Sequence, residues 1–315
     1  MVHFRDPSAL ARSQGKHRPD KLYRHHFENA ATLSLYVNKI NHISHKEVPD
    51  LKLQDGNAFQ SVGTLKPTKD ITKERIHRHY KTQQKRRPSA YVSAMPSMKD
   101  AEEKMRNMHK TRITAPRRMF LAEIDVSDMV AGILKTKMAT TSGEHTTDDR
   151  KPLTLSTTDS WVEIPIWIQD AVPYEGSPAI RPPRSVESIL NSGGQIWLSV
   201  NELTKSDLRV WAMQSHENEW LALSNIPETS ILNVLPFDGA VLHTGKGYEL
   251  VRNRRTDGGD IYLWNFDTNM WVHDPDLTDP SPYRDSRIGE KRKADGDVDV
   301  DSNSDDQRTP TPDSD

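Results

Sequence analysis

The chain of 315 residues contains no cysteine, which excludes disulfide bonds, a thiol nucleophile and zinc sites built on thiolates. Long apolar runs are also absent, and none approaches the roughly 18 consecutive apolar residues that a membrane-spanning helix needs. A glycine-rich phosphate loop is missing too, because Gly193-Gly194 and Gly258-Gly259 are typical of turns. The start of the chain is charged throughout and lacks the apolar core of a secretion signal. We therefore expect an intracellular protein with no membrane partner.

Charge is distributed unevenly along the chain. Only 34% of the residues are hydrophobic, so part of the length is expected to lie outside any core. The net charge of −2 hides a basic segment, residues 66–118, with 16 Lys and Arg against 5 Asp and Glu, and an acidic end, residues 295–315, with 8 Asp and one Arg. A basic segment of this kind indicates a polyanion or dinucleotide site, or charge screening within the molecule.

The composition predicts one domain with two polar ends. Residues 1–20 are polar without periodicity and are predicted to be disordered, residues 21–275 form the domain, and residues 276–315 form a disordered acidic tail. The cluster Lys291-Arg292-Lys293 in this tail resembles a short nuclear import signal, so the predicted location is cytoplasmic or nuclear.

Strand and helix signals alternate in the N-terminal half. A strand at 21–24 precedes a helical stripe with i, i+3, i+4 and i+7 spacing, formed by Leu33, Tyr36, Val37 and Ile40. A strand at 90–93 runs into a helix with a capping pair, Ser97 and Asp100, and an apolar stripe over 98–108 that we interpret as core packing. A strand over 119–126 is followed by a predicted helical turn over 127–134.

The C-terminal half is predicted to be rich in strands. Residues 135–159 are polar and rich in threonine, which is typical of a loop, and 161–168 form a strand that Pro165 restricts to an edge. Short strands are predicted at 196–200, 220–223, 231–235 and 248–251, and a hairpin over 261–272 turns at 267–269. The predicted class is therefore α+β.

Two glutamates, Glu217 and Glu219, stand immediately before the apolar strand at 220–223. In an extended strand, side chains two residues apart emerge on the same face, so both carboxylates would point into one cleft. Two such carboxylates suit a reaction whose transition state carries positive charge. The alternative is a solvated surface, because this spacing arises easily in a chain that is 28% charged.

Three segments in order carry a resemblance to a known family: Lys21-Leu22-Tyr23-Arg24, Tyr91-Val92-Ser93, and Glu217-Asn218-Glu219 with Ile226-Pro227 after it. They resemble the mono-ADP-ribosyltransferase fold of the arginine-modifying heat-labile enterotoxin and cholera toxin A chains, and enterotoxin-related domains of fungal proteins. Residues 119–129 are similar to a further strand and turn of that family. The resemblance implies a split β-sheet core with flanking helices and an insertion over about 135–214.

The same resemblance implies the site and its chemistry. NAD is the implied substrate, bound by Arg24 with Tyr23 beside it, and Ser93 is implied to brace Glu219. Glu219 would bind the nicotinamide ribose, and Glu217 would orient the acceptor. This acceptor would be a protein, which the resembled family modifies at arginine, or water. Two departures from the family pattern are Ala94-Met95 after Ser93, and Ser224-Asn225 where the family has two glycines.

Other functions remain open at this stage. The basic helix over 75–87 could bind nucleic acid phosphates, and the fold could instead be a catalytically silent interaction module that uses residues 135–214. A metal site is not predicted, because His77-x-His79 and His42-x-x-His45 lack a second ligand pair at a known spacing.

Overall fold

The computed structural model describes residues 1–14, 18–28, 30–37, 51–66, 70–80, 89–111, 118–142, 156–172, 174–177, 180–211, 216–245, 250–253 and 261–273. Over these residues the fold is a mixed α+β structure with antiparallel sheets and few helices, which confirms the predicted class at this level. The predicted tail over 276–315, with its basic cluster at 291–293, lies outside the described residues.

The largest sheet has six antiparallel strands. In spatial order they are β1 (Val2–His3), β7 (Val130–Ser142), β8 (Ser156–Gln169), β9 (Gln195–Ser199), β10 (Trp220–Leu223) and β5 (Tyr91–Ala94). The sheet is covered on both sides, because the side chains of β10 alternate between two apolar clusters: Trp220 and Ala222 join one, and Leu221 and Leu223 join the other. Strand β10 is thus completely enclosed, which explains its continuous apolar sequence.

Two three-stranded sheets and a hairpin complete the β structure. The first sheet has the order β12 (Ile231–Phe237), β6 (Met119–Asp125) and β2 (Lys21–Phe27), and the second has β11 (Asn225–Pro227), β4 (Asn57–Ser61) and β3 (Thr32–Ser34). The hairpin consists of β13 (Tyr262–Asn265) and β14 (Met270–His273), and it turns where predicted. The helices are α1 (Pro7–Gln14), α2 (Lys73–Tyr80), α3 (Met98–Thr111), α4 (Val186–Asn191) and α5 (Val200–Lys205).

Strand β5 and helix α3 follow the sequence signals closely. The Ser97 hydroxyl accepts a hydrogen bond from the Asp100 amide at 3.2 Å, so Ser97 caps the helix as predicted. Ala101 and Met105 are fully buried on the apolar stripe of α3, where they pack in a cluster with Met119 of β6. This packing fixes α3 against the strands, and the polar side of the helix is left to carry other contacts.

Residues 1–14 form β1 and α1 and belong to the fold, contrary to the prediction of disorder over 1–20. Val2 of β1 pairs with Leu134 of β7, and Val2, Phe4 and Ala9 are buried. The prediction failed because only three apolar side chains among many polar ones enter the core, which leaves no periodic pattern. The helix predicted from Leu33 is also wrong in the described part: residues 32–34 form β3, and Ile40 lies outside the described residues.

The segment interpreted as a turn and a loop, 127–159, is described only in part, and its described residues 130–142 and 156–159 belong to the two strands of a long hairpin. Strand β7 begins at Val130, and β7 pairs with β8 along thirteen successive positions, from Val130 opposite Ile168 to Ser142 opposite Ser156. The loop prediction failed because a threonine-rich strand with few apolar residues resembles a loop in composition. The pairing of β8 with β9 covers only residues 167–169, so at Pro165 strand β8 is paired with β7 alone. Pro165 therefore occupies an edge position, as predicted. The implied insertion over 135–214 therefore contributes strands to the six-stranded sheet.

The remaining predicted strands at 119–126, 196–200, 220–223 and 231–235 are confirmed as β6, β9, β10 and β12. Of the strand predicted at 248–251, residues 248 and 249 lie outside the described residues, and Arg252 forms only an isolated bridge with Leu263.

Candidate functional site

The candidate site lies where β2, β5 and β10 meet. Strand β10 is antiparallel to β5, with Leu221 opposite Ser93 and Trp220 opposite Ala94, so Glu219 stands at the end of this ladder. Strand β2 joins β5 through two hydrogen bonds between the backbones of Tyr23 and Met95. Three segments that are far apart in sequence thus approach one another through backbone pairing.

Arg24 of β2 is buried at this junction. Its guanidinium donates a hydrogen bond from one terminal nitrogen, Nη1, to the Ser93 carbonyl oxygen at 2.5 Å, and it lies over the Phe59 ring at 5.0 Å. The Arg24 Nε has no hydrogen-bond partner, and Arg24 forms no ion pair with any described residue. Burial lowers the pKa of Arg24 to about 10, and the negative charge of Glu219 opposes this shift. Arg24 is therefore a buried cation with unused hydrogen-bond donors.

Glu219 is a buried anion held by two partners. Its Oε1 atom accepts hydrogen bonds from Lys104 Nζ at 2.6 Å and from His216 Nδ1 at 2.8 Å, and its side chain is only 4% exposed. Burial alone would raise the pKa of Glu219, but the hydrogen bond from His216 and the charge of Lys104 outweigh it and lower this pKa to about 2. Glu219 is therefore ionised at any physiological pH.

Ser93 is held by His79 of α2. His79 Nε2 lies 2.6 Å from the Ser93 Oγ, and His79 Nδ1 lies 2.7 Å from the Ser89 Oγ. Burial lowers the pKa of His79 to about 4, so the imidazole is neutral. A serine beside a histidine can act as a nucleophile, but a base this weak, with the cations Arg24 and Lys104 also disfavouring its protonation, is poorly suited to that role.

An aromatic stack of Tyr80 and His216 lies beside Glu219. The Tyr80 ring lies on the His216 ring with 4.8 Å between centroids and an angle of 29° between planes. The Tyr80 hydroxyl is buried and has no hydrogen-bond partner among the described residues, and burial and the charge of Glu219 raise the Tyr80 pKa. Like the Arg24 Nε, this hydroxyl is a buried polar atom that no described residue hydrogen-bonds.

The site predicted from sequence is assembled only in part. Arg24, Ser93 and Glu219 lie around the same junction, with His79 and Arg24 both within the electrostatic influence of Glu219. The strand expected across both glutamates is not formed: β10 begins at Trp220, and Glu217 is exposed in the turn before it. The strand alternation that would place both carboxylates on one face therefore does not apply to them: Glu219 is buried and Glu217 is exposed.

Two further expectations are corrected by the contacts. Ser93 does not hydrogen-bond Glu219 within the described part of the chain; Lys104 and His216 hold that carboxylate. Tyr23 joins β2 to β5 through its backbone, and its half-buried side chain packs in the cluster with Met105, because neighbouring residues of a strand face opposite sides. Its side chain therefore lies away from that of Arg24.

Sequence reasoning missed Lys104, His79, His216 and Tyr80 as site residues. His216 stands three positions before Glu219, which is close enough for a local signal, but Lys104 is 115 positions away. The basic helix predicted to bind nucleic acid over 75–87 contributes His79 and Tyr80 to this site instead of to a free surface. Arg75 in the same helix pairs with Asp70 at 3.4 Å, and positions 81–87 are outside the described residues.

A separate cavity of about 640 Å³ lies at the opposite end of β10, beside Ser224. Its lining is rich in carboxamides, namely Gln54, Asn57, Gln60, Asn191, Gln195 and Asn225. Its described lining contains no lysine or arginine, so phosphate groups have no cation to bind there. An anionic ligand is better suited to the junction around Arg24.

Comparison with protein-family models gives no match, and neither the curated proteins nor the solved structures give a significant one. Within the described ranges, no cluster of three or more His, Cys, Asp or Glu side chains could hold a metal ion. The described helices are all too short or too polar to cross a bilayer.

Proposed function

We propose that this protein binds NAD and breaks its nicotinamide–ribose bond, transferring the ADP-ribosyl group to a protein acceptor or to water. The observation that carries the proposal is the buried guanidinium of Arg24, which has unused donors and no ion pair with any described residue, beside the ionised carboxylate of Glu219. The guanidinium of Arg24 suits an anionic part of a ligand, and the carboxylate of Glu219 suits an atom that becomes positive during the reaction.

The guanidinium supplies the first half of the argument. A buried charge without a partner is expensive, so natural proteins pair it or use it to bind a ligand. A guanidinium presents a planar set of donors that matches phosphate oxygens. With Lys104 close by, the junction carries two cations, Arg24 and Lys104, against the single carboxylate of Glu219, which favours a ligand that bears phosphates, such as the pyrophosphate of NAD.

The carboxylate supplies the second half. Both contacts of Glu219 fall on Oε1, and Oε2 has no hydrogen bond with any described residue. Oε2 is thus left for a ligand donor, such as a ribose hydroxyl. When the bond to nicotinamide breaks, positive charge develops on the ribose, and a fixed, desolvated carboxylate stabilises that charge most strongly in the transition state.

The order of the residues supports the same conclusion. Arg24, Ser93 and Glu219 occur in the order found in the ADP-ribosyltransferase family that the sequence resembles. Ser224 has a φ of 71°, a left-handed conformation that glycine adopts most readily, at a position where that family has glycine. A glycine would adopt this conformation without strain, so the backbone at Ser224 is compatible with the family's glycine although the residue type differs. Under this proposal, the exposed Glu217 stands at the outer side of the site, where it could meet an acceptor.

The test is incubation of the full-length protein with labelled NAD and a mixed protein extract, with nicotinamide release and label transfer measured separately. We expect turnover by the natural protein and a loss of about 100-fold or more in Glu219→Gln, since removing one transition-state charge contact has effects of this size. Label on protein identifies a transferase, and free ADP-ribose identifies a glycohydrolase.

Glu123→Gln is the matched control. The Glu123 carboxylate is also held by a lysine, Lys21 Nζ at 2.6 Å, and by Asn233, but it lies on β6 outside the site. Turnover that falls equally in both variants would indicate a general loss of stability. No turnover by the natural protein, and no rise in melting temperature with NAD, would contradict the proposal and favour a silent interaction module. Binding of nucleic acid that weakens steeply with salt would favour the basic segment instead.

A further inference from the structure

Lys104 has no role in the sequence motifs, but it makes a direct contact with the proposed catalytic carboxylate. Helix α3 holds it in place, because Ser97 caps the helix and Met105, the next residue, is fully buried. The Lys104 side chain is 27% exposed and its Nζ lies 2.6 Å from the Glu219 Oε1. The ammonium group thus reaches the carboxylate from a rigid element, with its stem partly in solvent.

The contacts of the carboxylate are one-sided. Lys104 and His216 both bind Oε1, and the His216 ring is in turn held by the stacked ring of Tyr80. Oε2 has no hydrogen bond with any described residue. A carboxylate fixed through one oxygen cannot rotate freely, so the other oxygen keeps a constant direction.

We propose that Lys104 is a positioning residue that fixes Glu219 through Oε1 and so presents Oε2 to the ribose of the substrate. The inference rests on the proposed function for the identity of that substrate. Lys104 does not need to touch NAD, because it acts by holding the carboxylate that does. A precise hydrogen-bond geometry of this kind is worth one or two orders of magnitude in rate.

The charge of Lys104 also favours the ionised form of Glu219. The other charged or titratable groups around this carboxylate are Arg24 of β2, His79 and Tyr80 of α2, and His216. Without Lys104, only the hydrogen bond and the charge of His216 would oppose the effect of burial on the pKa of Glu219. The pKa of Glu219 would then move from about 2 back towards the ordinary carboxyl value of 4.5.

The test compares Lys104→Met and Lys104→Arg in the full chain. In Lys104→Met we expect kcat for nicotinamide release to fall about 10-fold to 100-fold with KM little changed, and an acid limb to appear in the pH profile near pH 4 to 5. Lys104→Arg retains the cation and should recover most of kcat. Lys21→Met, which removes the equivalent lysine from Glu123, should change neither quantity.

A second measurement does not depend on turnover. The pKa of the Glu219 carboxyl is measured by ¹³C NMR of the free protein, and we expect it to rise in Lys104→Met and to stay low in Lys21→Met. An unchanged Glu219 pKa, or an unchanged kcat in a folded Lys104→Met, overturns the inference. Absence of turnover in the natural protein overturns the proposed function, and the pKa measurement still decides whether Lys104 controls the carboxylate.

Discussion

Replacing Glu219 by glutamine should make the stability of the protein less dependent on pH. The folded pKa of Glu219 is about 2, below its ordinary value of 4.5, so the ionised carboxylate stabilises the folded state. That stabilisation is fully present above about pH 5 and is lost as the pH falls towards 2. The shift corresponds to about 3 kcal/mol of the free energy of unfolding, and almost no discount for solvent applies because the side chain is only 4% exposed.

The assay is urea unfolding of the natural protein and of Glu219→Gln at fixed pH values between 7 and 3. At pH 7 we expect the variant to be less stable by about 3 kcal/mol, or roughly 5–10 °C in melting temperature. Glutamine can still accept a hydrogen bond from His216, and Lys104 can turn towards solvent, so this is an upper value. The difference between the two proteins should shrink as the pH falls, because below about pH 5 the unfolded carboxylate takes up a proton while the folded one stays ionised, which favours the unfolded state of the natural protein.

Two results would refute this reasoning. A stability difference that stays constant between pH 7 and 3 would mean that glutamine disturbs packing rather than charge. No difference at pH 7 would mean that burial of the carboxylate costs as much as its two partners return, as is known for some buried ion pairs. Glu123→Gln provides the comparison, because its Lys21 and Asn233 contacts also lower the Glu123 pKa, in a more exposed setting.

Two backbone positions allow further predictions. Ser224→Gly should raise the free energy of unfolding by up to about 1 kcal/mol in urea titration, because glycine relieves the strain of φ at 71°; a clear loss of stability would show that the Ser224 side chain matters more than its φ. Gly132→Ala should destabilise by about 1–3 kcal/mol in thermal unfolding, because the new Cβ would lie 2.8 Å from a Val2 methyl and 3.0 Å from Ile168. An unchanged melting temperature would mean that β1 moves away without cost.

Local signals predicted the elements of the site better than the contacts within it. The strand at 220–223 and the capped helix from Met98 were predictable because their apolar pattern and capping residue lie within a few positions. The strand expected through Glu217 failed because the backbone turns before Trp220, so alternation does not extend backwards to this residue. Sequence periodicity predicts the face on which a side chain lies only for residues inside a helix or strand.

Long-range contacts could not be predicted from the sequence. The apolar stripe of α3 predicts only packing, whereas Lys104 on its polar side reaches Glu219 because of how α3 lies against the strands. The sequence pattern around His79 indicates a basic or metal-binding segment, but burial makes His79 neutral and its two nitrogens contact serine hydroxyls. Charge type was visible in the sequence, but burial and partners emerge only from the fold.

The pairing of β5 with β10 has a consequence for how the protein is made. Arg24 lies on β2 and Glu219 stands immediately before β10, almost two hundred positions later, so most of the chain must emerge from the ribosome before the two can meet. Contacts of such high sequence separation form late and slowly in folding. A nascent or partly folded chain should therefore be unable to bind the substrate. Refolding experiments should show ligand binding returning together with the slowest phase of sheet formation.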